Sequence, residues 1–245
     1  MHLVAWGLWF HFWLVLVTLC AGGVVIFISL LAPNPRLLQQ VARWWGRILL
    51  RVGRIPVRVE GLEHLAPGQA YVYAANHRSN FDIYVLIATL PGRFLFVAKK
   101  SLFRIPVFGQ ALTRMGSISV DRDNLQSAIQ SLNRATAIVK SGVSMIIFPE
   151  GTRATSRELL PFKKGVFIMA MKAGQPIVPV SISGTRFIQV SRSIRVRPGP
   201  VKLVISPPVF PQAFGRKEDL MAAVRQAIEA HYDPDFPYGP ESPDL

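Results

Sequence analysis

The sequence predicts an α/β domain, a mixed sheet flanked by helices, preceded by an N-terminal hydrophobic helical membrane anchor. Three observations predict it. Short apolar runs alternate with helical periodicities along most of the chain, the pattern of a sheet covered by helices. The first 35 residues contain no Asp, Glu, Lys or Arg. The 245 residues are 50% apolar and only 17% charged, with 28 Lys plus Arg against 14 Asp plus Glu. This composition excludes a disordered or fibrous chain. The length suits one catalytic-sized unit with an anchor better than two domains.

The stretch Leu3 to Ala32 is dominated by Leu, Val, Ile, Phe and Trp. As a helix it reaches roughly 40 Å, enough to cross a ~30 Å hydrocarbon layer. A cleaved signal is disfavoured because no basic residue precedes the run and no small-x-small site follows it. Trp6, Trp9 and Trp13 are expected at the membrane interface. Pro33-Asn34-Pro35 then breaks the helix. A second helix is predicted over Arg36 to Arg54, with Arg36, Arg43, Arg47, Arg51 and Arg54 on one face. Leu37, Val41, Trp44, Ile48 and Val52 form the other. This is the pattern of a helix in the headgroup layer over anionic lipid, although a solvated arginine face on a core-packed helix reads the same way. Residues 1–55 are therefore expected to form the membrane-associated region.

Strands are predicted over Ala70 to Ala75, Phe94 to Ala98, Ser117 to Val120, Ser144 to Phe148, Ile177 to Ser183 and Val201 to Ile205. Helices are predicted over Phe81 to Leu90, Val107 to Met115, Asp123 to Ser141, Gly165 to Ala173 and Lys217 to Tyr232. Gly142 and Gly174 stand where C-terminal caps belong. Residues 56–232 thus form the α/β domain. The tail, 233–245, has four prolines, four acids and no apolar periodicity, and is expected to be disordered.

Removing those four acids leaves the remainder still more cationic, which suits an anionic partner, nucleic acid or membrane phospholipids. No nucleic-acid fingerprint accompanies the basic residues. Cys20 is the only cysteine, so an intramolecular disulfide or a thiolate metal cluster is excluded.

Two segments carry chemistry. Asn76-His77-Arg78-Ser79-Asn80-Phe81-Asp82 follows a strand and opens a helix, where α/β proteins place ligand-handling groups. His77 can accept a proton near neutral pH, and Asp82 can hold one tautomer of it. Such a pair makes a substrate hydroxyl the nucleophile, with no enzyme serine. The same residues also read as a capping box, Ser79 at the N-cap and Asp82 three residues on, with His77 an ordinary loop residue. Phe148-Pro149-Glu150-Gly151-Thr152-Arg153 follows another strand. Gly151 lets backbone approach a ligand, and Arg153 can grip phosphate with paired hydrogen bonds. Alone it also reads as a turn with a surface arginine. Further basic residues, Lys99, Lys100, Arg104, Arg122, Lys163 and Lys164, fall at strand ends or helix starts.

The N-H-x-x-x-x-D and F-P-E-G-T-R motifs, some seventy residues apart and in this order, resemble those of the 1-acylglycerol-3-phosphate (lysophosphatidic acid) acyltransferases. The intervening text is similar too. Val97 to Phe103 with Ile105-Pro106 and Gly109, Gly116 to Arg122, Phe162 to Gly165 and Val178 to Val180 each resemble a family block. The resemblance covers roughly Tyr71 to Ile182. Ser119 stands where the family has a bulkier residue, and Asp121 and Arg122 are kept.

The resemblance implies a glycerolipid acyltransferase fold behind an N-terminal hydrophobic region. It implies His77 as general base and Asp82 as its orienting partner. Glu150, Gly151, Thr152 and Arg153 would belong to the lysophospholipid site, with Arg122 a second phosphate contact. Lys99, Lys100 and Lys163 would meet phosphate or the acyl carrier. The implied reaction moves a fatty acyl group from acyl-CoA or acyl carrier protein to the sn-2 hydroxyl of lysophosphatidic acid, with no metal or bound cofactor, at the cytoplasmic face of the inner membrane. Acylation of another lysolipid (lyso-ornithine lipid, lysophosphatidylethanolamine) and a non-catalytic basic membrane-binding module are the competing expectations.

Overall fold

The computed structural model describes residues 2–121, 124–190 and 193–239. Arg122 therefore lies outside the described residues, as does Asp123 at the expected start of a helix. The chain opens with α1 (His2–Leu31) and α2 (Pro35–Val52), joined at Asn34, whose side chain accepts the N–H groups of Arg36 and Leu37 as an N-cap. There follow β1 (Val57–Glu60), β2 (Val72–Ala75), α3 (Phe81–Thr89), β3 (Phe94–Lys99), α4 (Phe108–Met115), β4 (Ile118–Val120), α5 (Leu125–Lys140), β5 (Ser144–Ile147), α6 (Gly165–Ala173), β6 (Ile177–Ser183), α7 (Thr185–Ile188), β7 (Val201–Ile205) and α8 (Lys217–Glu229).

The strands form a seven-stranded sheet in the order β1-β7-β6-β2-β5-β3-β4. All neighbours run parallel except β6 and β7. The central strand β2 is buried on both faces, as a parallel strand covered on both sides must be. Tyr73 and Ala75 face a core shared with Trp45, Phe81 and Leu86. Val72 and Ala74 face a second core with Val139, Phe167 and Val224. The six predicted strands appear: β6 and β7 with the expected bounds, β3 one residue longer, and β2, β4 and β5 trimmed by one or two residues. β1 was not expected: four residues alternating Val and charge, Val57-Arg58-Val59-Glu60, pair with β7 at the sheet edge.

Helix α1 lies along the domain. A Cβ at Gly7 would run into the carbonyl oxygen of Ile194, and one at Gly22 into the Val107 side chain. Between them Phe10 is buried, 4.9 Å from the Phe81 ring, and Trp45 donates to Thr18 at 3.0 Å. The opposite side of α1, including Leu8, Trp9, Phe12 and Phe27, is exposed. Only Trp9 of the three expected interface tryptophans is on that side. Trp6 and Trp13 are packed against the core, Trp6 beneath the Arg54 guanidinium.

α2 carries a second apolar face besides the expected one. Its core contacts are made by Leu38, Trp45 and Leu49, whereas Leu37, Trp44 and Ile48 are exposed at 44%, 67% and 40%. The central arginines cap another helix. Arg43 donates to the carbonyls of Leu90 and Gly92, and Arg47 to that of Ala88, satisfying groups that the C-terminus of α3 leaves open. The tail departs from expectation up to residue 239. Asp233 N–H bonds Ser183 Oγ at 3.0 Å, Arg157 pairs with Asp235, and Tyr238 packs edge-on against Phe187. These side-chain anchors need no apolar period, so the sequence pattern did not reveal them.

Candidate active site

Parallel strands β2 and β5 end side by side, which brings the two motifs together at the carboxyl edge of the sheet. Asn76 fixes the first loop by exchanging two hydrogen bonds with the backbone of Ile182 on β6. His77 Nδ1 then lies 2.7 Å from Asp82 Oδ2. The same oxygen accepts the backbone N–H groups of Arg78 at 2.6 Å and Ser79 at 2.9 Å. One carboxylate oxygen thus meets both the imidazole and the Ser79 N–H, but the expected capping box is only half formed: the Ser79 hydroxyl donates to the Gln189 carbonyl instead of accepting the Asp82 N–H, and Asn80 takes the N-cap position. Asp82 is fully buried and His77 is 8% exposed. With Nδ1–H donating to the carboxylate, the network leaves Nε2 as the basic nitrogen. The Phe148 ring stacks on the imidazole at 3.9 Å and fixes its plane.

Glu150, expected at the lysophospholipid site, is buried, with both carboxylate oxygens on backbone N–H groups. Its Oε1 accepts the His77 backbone N–H and its Oε2 that of Leu160, both at 2.8 Å, and Arg78 Nη1 lies 3.7 Å away. At 2% exposure it clamps the two motif loops together, and Ala154 N–H adds a bond to the His77 carbonyl. Gly151 turns the chain at φ 75°, a conformation glycine adopts without a Cβ penalty. Thr152 is exposed.

Arg153 Nη1 donates to Asn80 Oδ1 at 2.9 Å, so the guanidinium lies at the rim of the His77 loop. It also lies within electrostatic reach of Tyr84, whose buried phenol is pushed up chiefly by desolvation. The Lys163 stem crosses Gly151, which brings a second cation to this rim. Lys99 and Lys100 are exposed at the end of β3, one strand beyond β5, and Lys100 pairs with Asp121 at 3.1 Å. Sequence reasoning passed over Phe148, Arg78 and Tyr232 as members of this cluster. Phe148 and Arg78 adjoin motif residues; Tyr232 gave no local signal. Among the described residues no group of three His, Cys, Asp or Glu side chains is placed to hold a metal.

An apolar hollow, partly open to solvent, is walled by α1, α2, α3, β3 and α4. Phe94, Phe96 and Ala98 line it in alternation, so it follows β3 toward the carboxyl edge. Ile83, next to Asp82, is part of its wall.

Residues 56–183 match the family described as Acyltransferase. The 1-acyl-sn-glycerol-3-phosphate acyltransferase of Limnanthes douglasii is 34% identical over 203 residues, 81% of this chain and 71% of that one. The human alpha form is 35% identical over 156 residues, 63% of this chain and 55% of its own length. The crystal structure of the 1-acyl-sn-glycerophosphate (LPA) acyltransferase PlsC from Thermotoga maritima superposes with a TM-score of 0.83 at 28% identity, covering 94% of each chain. Fold and sequence together make this chain an acyltransferase. Within that class it belongs to the 1-acylglycerol-3-phosphate acyltransferase family.

Proposed function

We propose that the protein transfers a fatty acyl group from a thioester, on CoA or acyl carrier protein, to the sn-2 hydroxyl of lysophosphatidic acid, yielding phosphatidic acid. The observation that carries this reading is the His77–Asp82 contact of 2.7 Å at the sheet's carboxyl edge, with Arg153 bonded to Asn80 of the same loop. His77 Nε2 takes the hydroxyl proton as the oxygen attacks the thioester carbonyl. Asp82 stabilises the imidazolium. The tetrahedral oxyanion collapses, the carbon–sulfur bond breaks, and the thiolate leaves with the proton that His77 held. Side chains alone carry these steps, with no metal or cofactor.

Arg153 and Lys163 are proposed to hold the acceptor phosphate, helped by Arg122, with Gly151 and Thr152 lining its approach. Lys99 and Lys100 suit the phosphates of the donor carrier. The apolar cavity suits an acyl chain. The exposed apolar sides of α1 and α2 support attachment to membrane phospholipids. Because α1 is packed on the domain from Gly7 to Gly22, we favour a helix that stays within one leaflet over one that spans the bilayer. Thioester donors put the site on the cytoplasmic face.

The test is a vesicle assay with lysophosphatidic acid and labelled acyl-CoA or acyl carrier protein. Labelled phosphatidic acid is expected, with lyso-ornithine lipid and lysophosphatidylethanolamine accepted poorly. His77→Ala should lower turnover by about 10²–10⁴ while vesicle binding is kept. Wild-type turnover in that variant would exclude the mechanism.

A further inference from the structure

The sheet divides the protein into two layers. Helices α1, α2 and α3 cover one face, where Phe10, Trp45 and Phe81 share a core. Helices α5, α6 and α8 cover the other, where Val139, Phe167 and Val224 meet. The exposed apolar side of α1, proposed to meet lipid, belongs to the first layer. The second layer is cationic. Neither α5 nor α6 carries an acid. Lys164, at the start of α6, is followed at intervals of four residues by Ile168 and Lys172, all exposed on its outer side. Arg134 and Lys140 are exposed on α5. A bilayer against α1 lies a sheet and two cores away from these charges, beyond the ~10 Å over which exposed charges act at ordinary salt.

Between α6 and the start of α8 lies an open hollow lined by Ile168, Met171, Lys172, Arg216 and Lys217, with Glu218 at its side. Ile168 is 37% exposed, so apolar surface lies among the cations. The first turn of α8 brings two acids, Glu218 and Asp219. Glu218 is held by Lys217 at 3.2 Å and Lys164 at 3.5 Å, and positive charge stays in excess. An apolar centre with a charged rim is the anatomy of a protein interface, and the complement of this one is an acidic surface. The face also leads to the reaction centre. Lys163 N–H bonds the Pro149 carbonyl of the second motif at 2.7 Å, and α6 begins two residues later. From Lys164 to Lys172 the helix rises roughly 12 Å.

Of the two thioester donors, CoA is small enough to bind at the site alone, whereas a carrier protein needs a surface of its own and a flexible arm that reaches from it. We infer that the outer face of α6, with the first turn of α8, is the docking surface for an acidic acyl carrier protein, which passes its thioester over the start of α6 to the edge that holds His77. This inference rests on the proposed acyl transfer and names the partner that delivers the acyl group.

The deciding measurement is the initial rate on anionic vesicles holding lysophosphatidic acid, with the same acyl chain on acyl carrier protein or on CoA. Lys172→Glu combined with Arg216→Glu should raise the KM for the carrier protein about tenfold or more. Its kcat, the acyl-CoA rate, vesicle flotation and the thermal melt should stay near wild type. If the double reversal does not fold, Lys172→Ala with Arg216→Ala is read in the same way, with a several-fold rise expected. The wild type gives a second reading: its carrier-protein KM should rise between about 0.05 and 0.3 M salt, and a salt-independent value overturns the inference. So does an unchanged carrier-protein KM in a folded variant, or an equal loss with both donors. Reduced flotation of the variant would make the face a lipid surface and overturns it too. A wild type that is silent with both donors removes the proposed reaction itself, whereas one that uses acyl-CoA alone removes only this docking surface.

Discussion

Glu150 Oε1 accepts the backbone N–H of His77 at 2.8 Å, across 73 residues of chain. The second motif therefore reaches the first through a buried carboxylate, and the position of the imidazole depends on a residue that solvent does not touch.

Glu150→Gln should separate clamp from ligand. An amide offers one acceptor oxygen where the carboxylate serves two N–H groups, those of His77 and Leu160, so one donor faces an NH₂ group. The expected cost is about 2–4 kcal/mol of stability, measured by urea unfolding. The variant should also lose kcat while the KM for lysophosphatidic acid stays near wild type. A raised KM with unchanged stability would return Glu150 to the acceptor site.

Glycine substitutions in α1 should differ sharply by position. Gly7→Ala meets the Ile194 carbonyl oxygen, which is backbone and cannot rotate away, while a Cβ at Gly23 meets nothing within 4 Å. Gly7→Ala is expected to cost about 1–3 kcal/mol. Gly23→Ala is expected to gain about 0.5–1 kcal/mol from helix propensity. Thermal melts in detergent micelles read both, and equal effects would mean that α1 is not docked as described.

The outward and inward residues of α2 should report on different properties. Arg43→Leu removes the bonds to the Leu90 and Gly92 carbonyls and is expected to cost about 1.5–3 kcal/mol without changing vesicle binding. Trp44→Glu, at a position 67% exposed, should leave the melt unchanged and weaken vesicle binding about tenfold or more. Flotation with anionic vesicles, beside a melt, gives both readings.

Filling the cavity should shorten the accepted chain. Ala111 lines it from α4. Ala111→Phe is expected to lower the rate with long acyl donors by about tenfold or more, while short donors react as before. An equal loss at every chain length would indicate damage to the fold.

Much of this arrangement was legible in the residues. The central strands are continuous apolar runs because parallel strands covered on both faces must be, and the two motifs, each read as following a strand, meet at one edge of the sheet. Three things were hidden. In α2, Leu37-Val41-Trp44-Ile48 and Leu38-Ala42-Trp45-Leu49 are equally regular apolar stripes, and periodicity does not say which one meets the protein. β1 is a short edge strand whose alternating Val and charge carry little signal. The role of Glu150 depends on backbone donors from residues 77 and 160, and a backbone N–H leaves no trace in sequence.

Phe10 of α1 packs 4.9 Å from Phe81, the residue before Asp82, and Thr18, Ala21 and Val25 of the same helix line the hollow beside β3. The hydrophobic leader is thus structural timber of the catalytic half and cannot be pruned as a mere tether. A truncate beginning after Pro33, made for easier handling, would open one side of the chamber to water and strip a prop from the helix that aims the carboxylate. Its silence in an assay would report a dismantled enzyme, not an enzyme that had lost its address.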